Sequence, residues 1–113
     1  MSEIYSEIDV QTALHEQIEG KLLIDVRESD EFEAGHADGA VSIPLSEIKE
    51  RLHEIDKSSA FNVICKSGGR SGQAATALNE AGFNATNVQG GSLEWLAVKQ
   101  PFVSSNGDAP EVI

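Results

Sequence analysis

The stretch "AFNVICKSGGRSGQAATALNEAG", residues 60–82, decides the fold. "AFNVIC" is a short apolar run without alternation, the pattern of a strand buried on both faces. It ends on Cys65, the one cysteine of the chain. Gly68 and Gly69 then turn the backbone. "SGQAATALNEAG" predicts a helix with Ala74, Ala77, Leu78 and Ala81 inward and Gly82 as its stop.

The same alternation extends in both directions. Asp9 is placed to cap a helix over "VQTALHEQIE", where Val10, Ala13, Leu14 and Ile18 recur at helical spacing and Gly20 supplies the stop. Leu22 to Val26 reads as another strand buried on both faces. Ser29 is placed to cap a short helix through Ala34, with Asp30 and Glu31 in its first turn and Gly35 at its end. "GAVSIP" is a brief strand closed by Pro44. "LSEIKERLHEI" predicts a helix with Leu45, Ile48, Leu52 and Ile55 on one face and Glu47 spaced to pair with Arg51. Downstream, "ATNVQ" is a weak strand, "SLEWLAVK" a last short helix, and the residues from Pro101 onward a loose tail with Phe102 docked.

Strands alternating with helices imply an α/β domain, with a central parallel sheet flanked by helices on both faces and ligands at the carboxyl ends of the strands. A single domain is expected over residues 1–113. Its folded core spans about residues 3–100, with residues 101–113 as a C-terminal tail.

Composition narrows the function. The net charge of -11, from 19 acids against 8 Lys and Arg, repels phosphate backbones and anionic lipid heads, so neither nucleic acid nor membrane is an expected partner. One cysteine can form neither an internal disulfide nor a Cys-based zinc cluster, and it fits a reducing compartment. "MSEIYSEIDV" lacks the basic cluster and apolar run of a signal peptide, and no stretch reaches membrane-spanning length. The expectation is a soluble, cytoplasmic protein. His15, His36 and His53 lack paired metal spacing, so no metal is expected, nor any cofactor.

The loop after Cys65 carries the chemistry. A free cysteine ending a core strand is ordinarily one more buried apolar residue. Here a glycine turn entering a helix aims backbone N–H groups at one point, and the helix N-terminus adds positive potential. Lys66 and Arg70 add to that field, which favours a thiolate and receives an anionic ligand. A phosphate loop is not matched, because the Gly-Lys-Ser/Thr ending is missing, and neither is the G-x-G-x-x-G of dinucleotide sites.

Three ordered blocks resemble the rhodanese-like sulfurtransferase domain. "LLIDVRESDEFEAGHADGAVSIP" is similar to the family's first block, "VICKSGGRS" to its active-site loop, and "GGSLEW" to its closing Gly-Gly-to-Trp segment at Gly90, Gly91 and Trp95. The resemblance implies a Cys65 nucleophile that takes sulfane sulfur from an anionic donor such as thiosulfate and holds it as a persulfide. The sulfur then passes to cyanide or a thiol acceptor, either a small thiol or a thioredoxin-like protein. Backbone N–H groups from Lys66 through Ser67, Gly68, Gly69 and Arg70 to Ser71 would cradle the persulfide, and Lys66 and Arg70 would hold the donor's oxyanion end.

The remaining candidates are given supporting parts. Asp25 and Arg27 read as an ion pair that fixes the loop architecture. His36 reads as a hydrogen-bonded residue that fixes the turn after the short helix, His15 and His53 as solvent-facing, and Trp95 as core. Two other functions stay open at this point: a sulfur-carrier or interaction module acting on a partner protein, and a cysteine-dependent phosphatase or arsenate reductase. The last is disfavoured because the phosphatases resemble C-x5-R, whereas Cys65 to Arg70 is C-x4-R.

Overall fold

The computed structural model describes residues 5–113; residues 3 and 4, where the folded core is expected to begin, lie outside the described residues. The chain starts with β1 (Ser6–Ile8) and α1 (Val10–Ile18), followed by β2 (Leu23–Asp25), α2 (Ser29–Ala34), β3 (His36–Ala37) and β4 (Val41–Ser42). A 3-10 segment (Leu45–Glu54) leads to β5 (Ala60–Ile64), α3 (Gly69–Glu80), β6 (Asn84–Val88), α4 (Gly91–Ala97) and β7 (Phe102–Val103).

Among the described residues, five strands form one sheet in the order β1-β6-β5-β2-β4, with every pairing parallel. β5 is the middle strand, so its carboxyl end, and with it Cys65, lies at the centre of the sheet's carboxyl edge. Successive strand residues point to opposite faces. Leu23 and Ile64 join Val10 and Ala13 of α1 and Trp95 of α4, whereas Ile24, Val63 and Cys65 join Ile48 of the 3-10 segment and Ala74, Ala75 and Leu78 of α3. Both faces are covered, which is why β2 and β5 read as unbroken apolar runs. The architecture is the expected α/β sandwich with helices on both sides.

Several local expectations are corrected. β1 was not anticipated: "SEI" is too short and polar to signal a strand, and it forms by pairing Ser6, Glu7 and Ile8 with Thr86, Asn87 and Val88 of β6. On α1, Asp9 does cap, accepting from Thr12 N–H at 2.8 Å, but Ile18 is 74% exposed. At 3.6 residues per turn it lies roughly 110° from the Val10–Ala13 face. On α2, Glu28 rather than Ser29 occupies the N-cap, and its N–H donates to Glu31 Oε1 at 3.1 Å. On α3, Ala77 and Ala81 are exposed, and the buried stripe runs through Ser71, Ala74, Ala75 and Leu78. At 3.6 residues per turn, this buried face is centred roughly 60° from the expected one.

Residues 45–54 are 3-10 rather than α, with non-helical backbone at Arg51. Side chains three apart eclipse in this geometry. Leu45 with Ile48, and Leu52 with Ile55, are two such pairs, and the break at Arg51 supplies the extra residue between them. All four still face the core. Arg51 bonds both Glu47, as expected, and Glu54.

The C-terminal stretch is paired rather than loose. β7 runs antiparallel to β3, with Ala37 opposite Phe102, and Ser105 and Glu111 donate backbone hydrogen bonds to Glu33 and Ala34 of α2. Trp95, fully buried, donates its indole N–H to the Pro101 carbonyl at 2.9 Å, so the largest core side chain also holds the start of this segment. Burial of that side chain is worth about 2–3 kcal/mol. Among the described residues no helix is long and apolar enough to cross a membrane.

Candidate active site

Cys65 is the first residue after β5, and it is only 1% exposed. The chain then folds back over its own sulfur. Gly68 N–H stands 3.1 Å from Cys65 Sγ and Ser71 Oγ 3.3 Å from it. This return needs Gly68 at φ 113, a left-handed conformation that side chains disfavour.

The opposite side of the loop is held by α4. Ser92 N–H donates to the Cys65 carbonyl at 2.8 Å and Leu93 N–H to the Lys66 carbonyl at 3.1 Å. The unpaired donors of one helix start therefore take the loop's carbonyls, which leaves the loop's N–H groups for the sulfur. Gly91 permits this approach. A Cβ there would stand 2.6 Å from the Cys65 carbonyl oxygen, and its φ is 59.

Burial pushes the Cys65 thiol up. The Ser71 hydroxyl and the backbone N–H groups of Ser71, Gly68 and Ser67 together outweigh burial and hold it below the ordinary cysteine value. The arrangement suits a thiolate that needs no separate general base.

Arg70 and Lys66 differ in their surroundings. Arg70 makes a two-point ion pair with Glu31 of α2, Nη1 to Oε1 at 2.7 Å and Nη2 to Oε2 at 2.9 Å. The Arg70 guanidinium holds the Glu31 carboxyl down to about 2. Arg70, expected to add to the field at Cys65, thus also carries a carboxylate partner that the sequence did not indicate. Lys66 enters no ion pair among the described residues and is half-buried.

Asp25 and Arg27 meet at the carboxyl end of β2, next to Ile64, both fully buried. Arg27 Nη2 donates to Asp25 Oδ2 and to the Gly35 carbonyl, each at 2.7 Å, and Arg27 N–H donates to Asp25 Oδ1 at 3.0 Å. The pair thereby fixes both ends of α2, the helix that carries Glu31. His36 is nearly buried; its Nδ1–H donates to the Phe32 carbonyl at 2.6 Å and its ring stacks on Phe32 at 3.7 Å. The hydrogen bonds to the sulfur come from the Cys65 loop, Gly68 and Ser71 among them, and not from Asp25, Arg27 or His36. His15 and His53 are exposed, and among the described residues no group of His, Cys, Asp and Glu could hold a metal ion.

Two site residues were missed. Asn87 on β6 is fully buried; its Nδ2 donates to the Gly68 carbonyl at 3.1 Å and to Glu7 Oε2 at 2.9 Å, and its Oδ1 meets Ser71 Oγ. An amide in the middle of a short strand was the available signal, since Asn is depleted in strands. Glu31 was read only as a first-turn acid. The spacing of 39 positions to Arg70 hides that pair from any local pattern.

Comparisons with known proteins bear on the family and the fold. The sequence model of the Rhodanese-like domain matches residues 10–98. YtwF of Bacillus subtilis strain 168 is 39% identical over 92 residues, which covers 79% of this chain and 89% of that protein. Thiosulfate sulfurtransferase PspE of Escherichia coli K12 is 40% identical over 70 residues, 60% of this chain and 67% of that one. Among solved structures, a rhodanese-related protein from Thermoplasma volcanium superposes with a TM-score of 0.79 at 32% identity, covering 88% of this chain and 98% of the other.

Proposed function

The chain belongs to the rhodanese-like domain family, and on that premise we propose that it is a sulfurtransferase that moves sulfane sulfur from thiosulfate through a Cys65 persulfide. The observation that carries this reading is the nearly buried Cys65 Sγ at the end of the middle strand, 3.1 Å from Gly68 N–H.

The Cys65 thiolate attacks the outer sulfur of thiosulfate. A new S–S bond forms, the S–S bond of the donor breaks, and sulfite leaves with its electron pair. The N–H groups of Ser67, Gly68 and Ser71 face the charge of the persulfide. Lys66, which has no carboxylate partner among the described residues, receives the oxyanion end of the donor, and Arg70 adds the N–H groups that Glu31 does not take. In the second step a thiol or cyanide attacks the outer sulfur and returns Cys65 to the thiolate. The acceptor attacks the outer sulfur, which stands about 2 Å beyond Sγ and is therefore more accessible than Sγ itself. Asp25, Arg27 and His36 support the site without touching the reacting atoms.

Intact-mass spectrometry after incubation with thiosulfate tests the reading. A gain of about 32 Da that cyanide removes and Cys65→Ser lacks is expected from a covalent sulfur intermediate. An unmodified wild-type mass would remove thiosulfate as donor. Hydrolysis of an aryl phosphate by the same protein would replace sulfur transfer with phosphatase chemistry.

A further inference from the structure

The partners of Asn87 orient its amide. Nδ2 lies 2.9 Å from Glu7 Oε2 and 3.1 Å from the Gly68 carbonyl oxygen, and both groups can only accept. Both amide hydrogens are thereby used, and Oδ1 is the atom that meets Ser71 Oγ in a short contact. Oδ1 also only accepts, so the Ser71 hydroxyl donates to it. Ser71 has one hydroxyl hydrogen, yet its oxygen also stands 3.3 Å from Cys65 Sγ. While the hydrogen is on Asn87, the sulfur faces a lone pair, which suits S–H. Ser71 and Asn87 are both 0% exposed, so bulk water does not settle the competition.

We propose that Asn87 is a positioning residue for the nucleophile: it holds the single Ser71 hydroxyl hydrogen away from Cys65 Sγ in the thiol, and the hydroxyl turns to the sulfur as the thiolate forms. The step breaks the S–H bond, passes that proton to solvent, and exchanges a Ser71–Asn87 hydrogen bond for a Ser71–Cys65 one. The backbone N–H groups, Gly68 N–H at 3.1 Å among them, serve the sulfur throughout. Once Cys65 carries an outer sulfur, the bridging Sγ is a poor acceptor and the hydroxyl returns to Asn87. Ser71 thus supplies its hydrogen only while the charge is on Sγ.

The inference rests on Cys65 being the reacting nucleophile, and its test needs no sulfur transfer. The measurement is the pH dependence of Cys65 alkylation by iodoacetamide in the wild type, Asn87→Ala, Ser71→Ala and the double variant. The surrounding charges are Lys66, Arg70 held by Glu31, the Asp25–Arg27 pair and, behind Asn87, Glu7. All remain in each variant.

Asn87→Ala is expected to lower the midpoint by roughly 0.5–1 pH unit, the equivalent of one ordinary hydrogen bond. Ser71→Ala alone should shift it by less than half of that amount, whereas in the Asn87→Ala background it should raise it. If Asn87 only anchored the loop through Gly68, its loss would loosen the N–H donors and raise the midpoint. An unchanged or raised midpoint in Asn87→Ala therefore overturns the inference. So does a rise in Ser71→Ala of about 0.5 pH unit or more, which carries the test if Asn87→Ala does not fold. The expected shifts in the variants, together with wild-type protein that takes no sulfur from thiosulfate, would sink the proposed donor and leave the role of Asn87 standing.

Discussion

Arg70 in the first turn of α3 and Glu31 in the first turn of α2, 39 positions apart in sequence, close a two-point ion pair beside the loop that holds Cys65. Glu31 is mostly buried while Arg70 is 36% exposed, so the pair is neither a surface contact nor a core one. Its Oε1 also accepts the N–H of Glu28. One carboxylate therefore ties the start of α2 to the start of the helix that carries Ser71.

This pair gives stability a defined acid limb. The Glu31 carboxyl sits at about 2 in the folded chain, below its ordinary 4.5, chiefly through the Arg70 hydrogen bonds. A depressed folded value means that the stabilisation is complete above about pH 4.5 and is lost as the pH falls toward about 2. After allowance for solvent around Arg70, Glu31→Gln should cost about 1–2 kcal/mol at neutral pH. Urea denaturation of both proteins across this range checks it. The difference should shrink steadily as the solution is acidified, and a difference independent of pH would show that the charge is irrelevant.

The Asp25–Arg27 pair predicts a different pattern. Both side chains are fully buried, and Arg27 Nη1 has no hydrogen-bond partner among the described residues. Removing Asp25 leaves a buried cation uncompensated, so Asp25→Ala should cost about 3–5 kcal/mol. Arg27→Met likewise strands the carboxylate. The double change Asp25→Leu with Arg27→Met should cost less than the sum of the two single changes, because the charge left behind dominates each single loss. Equal additive losses in a denaturation cycle would contradict this account.

These two pairs mark where the sequence was legible and where it was not. The Asp25–Arg27 pair spans two residues, and its geometry follows from a strand ending in a turn. The apolar runs of β2 and β5 and the glycine turn after Cys65 are equally local, and they sufficed for the parallel sheet, the layers and the loop. β1 and β7 are three and two residues long and form only because partners await them, Thr86 to Val88 for one and His36 to Ala37 for the other. The 3-10 winding of residues 45–54 depends on where Arg51 interrupts the repeat, since the same four apolar positions also fit an α-helix. Asn87 and Glu31 act through contacts far apart in sequence. A periodic pattern reports which face of an element is buried, and it is silent on what a single buried amide touches.

On the proposed reading, Lys66 is the loop cation that binds the anionic donor. Among the described residues Arg70 is matched by Glu31 and Arg27 by Asp25, which leaves Lys66 as the loop charge without an ion pair there, inside an envelope of net -11. Lys66→Ala should raise the KM for thiosulfate about 5–10-fold, the worth of one ordinary hydrogen bond, while the persulfide still forms. An unchanged KM would remove Lys66 from donor binding. The envelope also sets the salt response. A dianionic donor is repelled at long range, and salt screens that repulsion beyond a Debye length of about 8 Å at physiological ionic strength. The wild-type KM should therefore stay level or fall between low and moderate salt. A steep rise instead would mean that the local cations, with Arg70 among them, outweigh the acidic surface, and that Glu31 leaves more of the Arg70 charge available to the donor than the two-point pair implies.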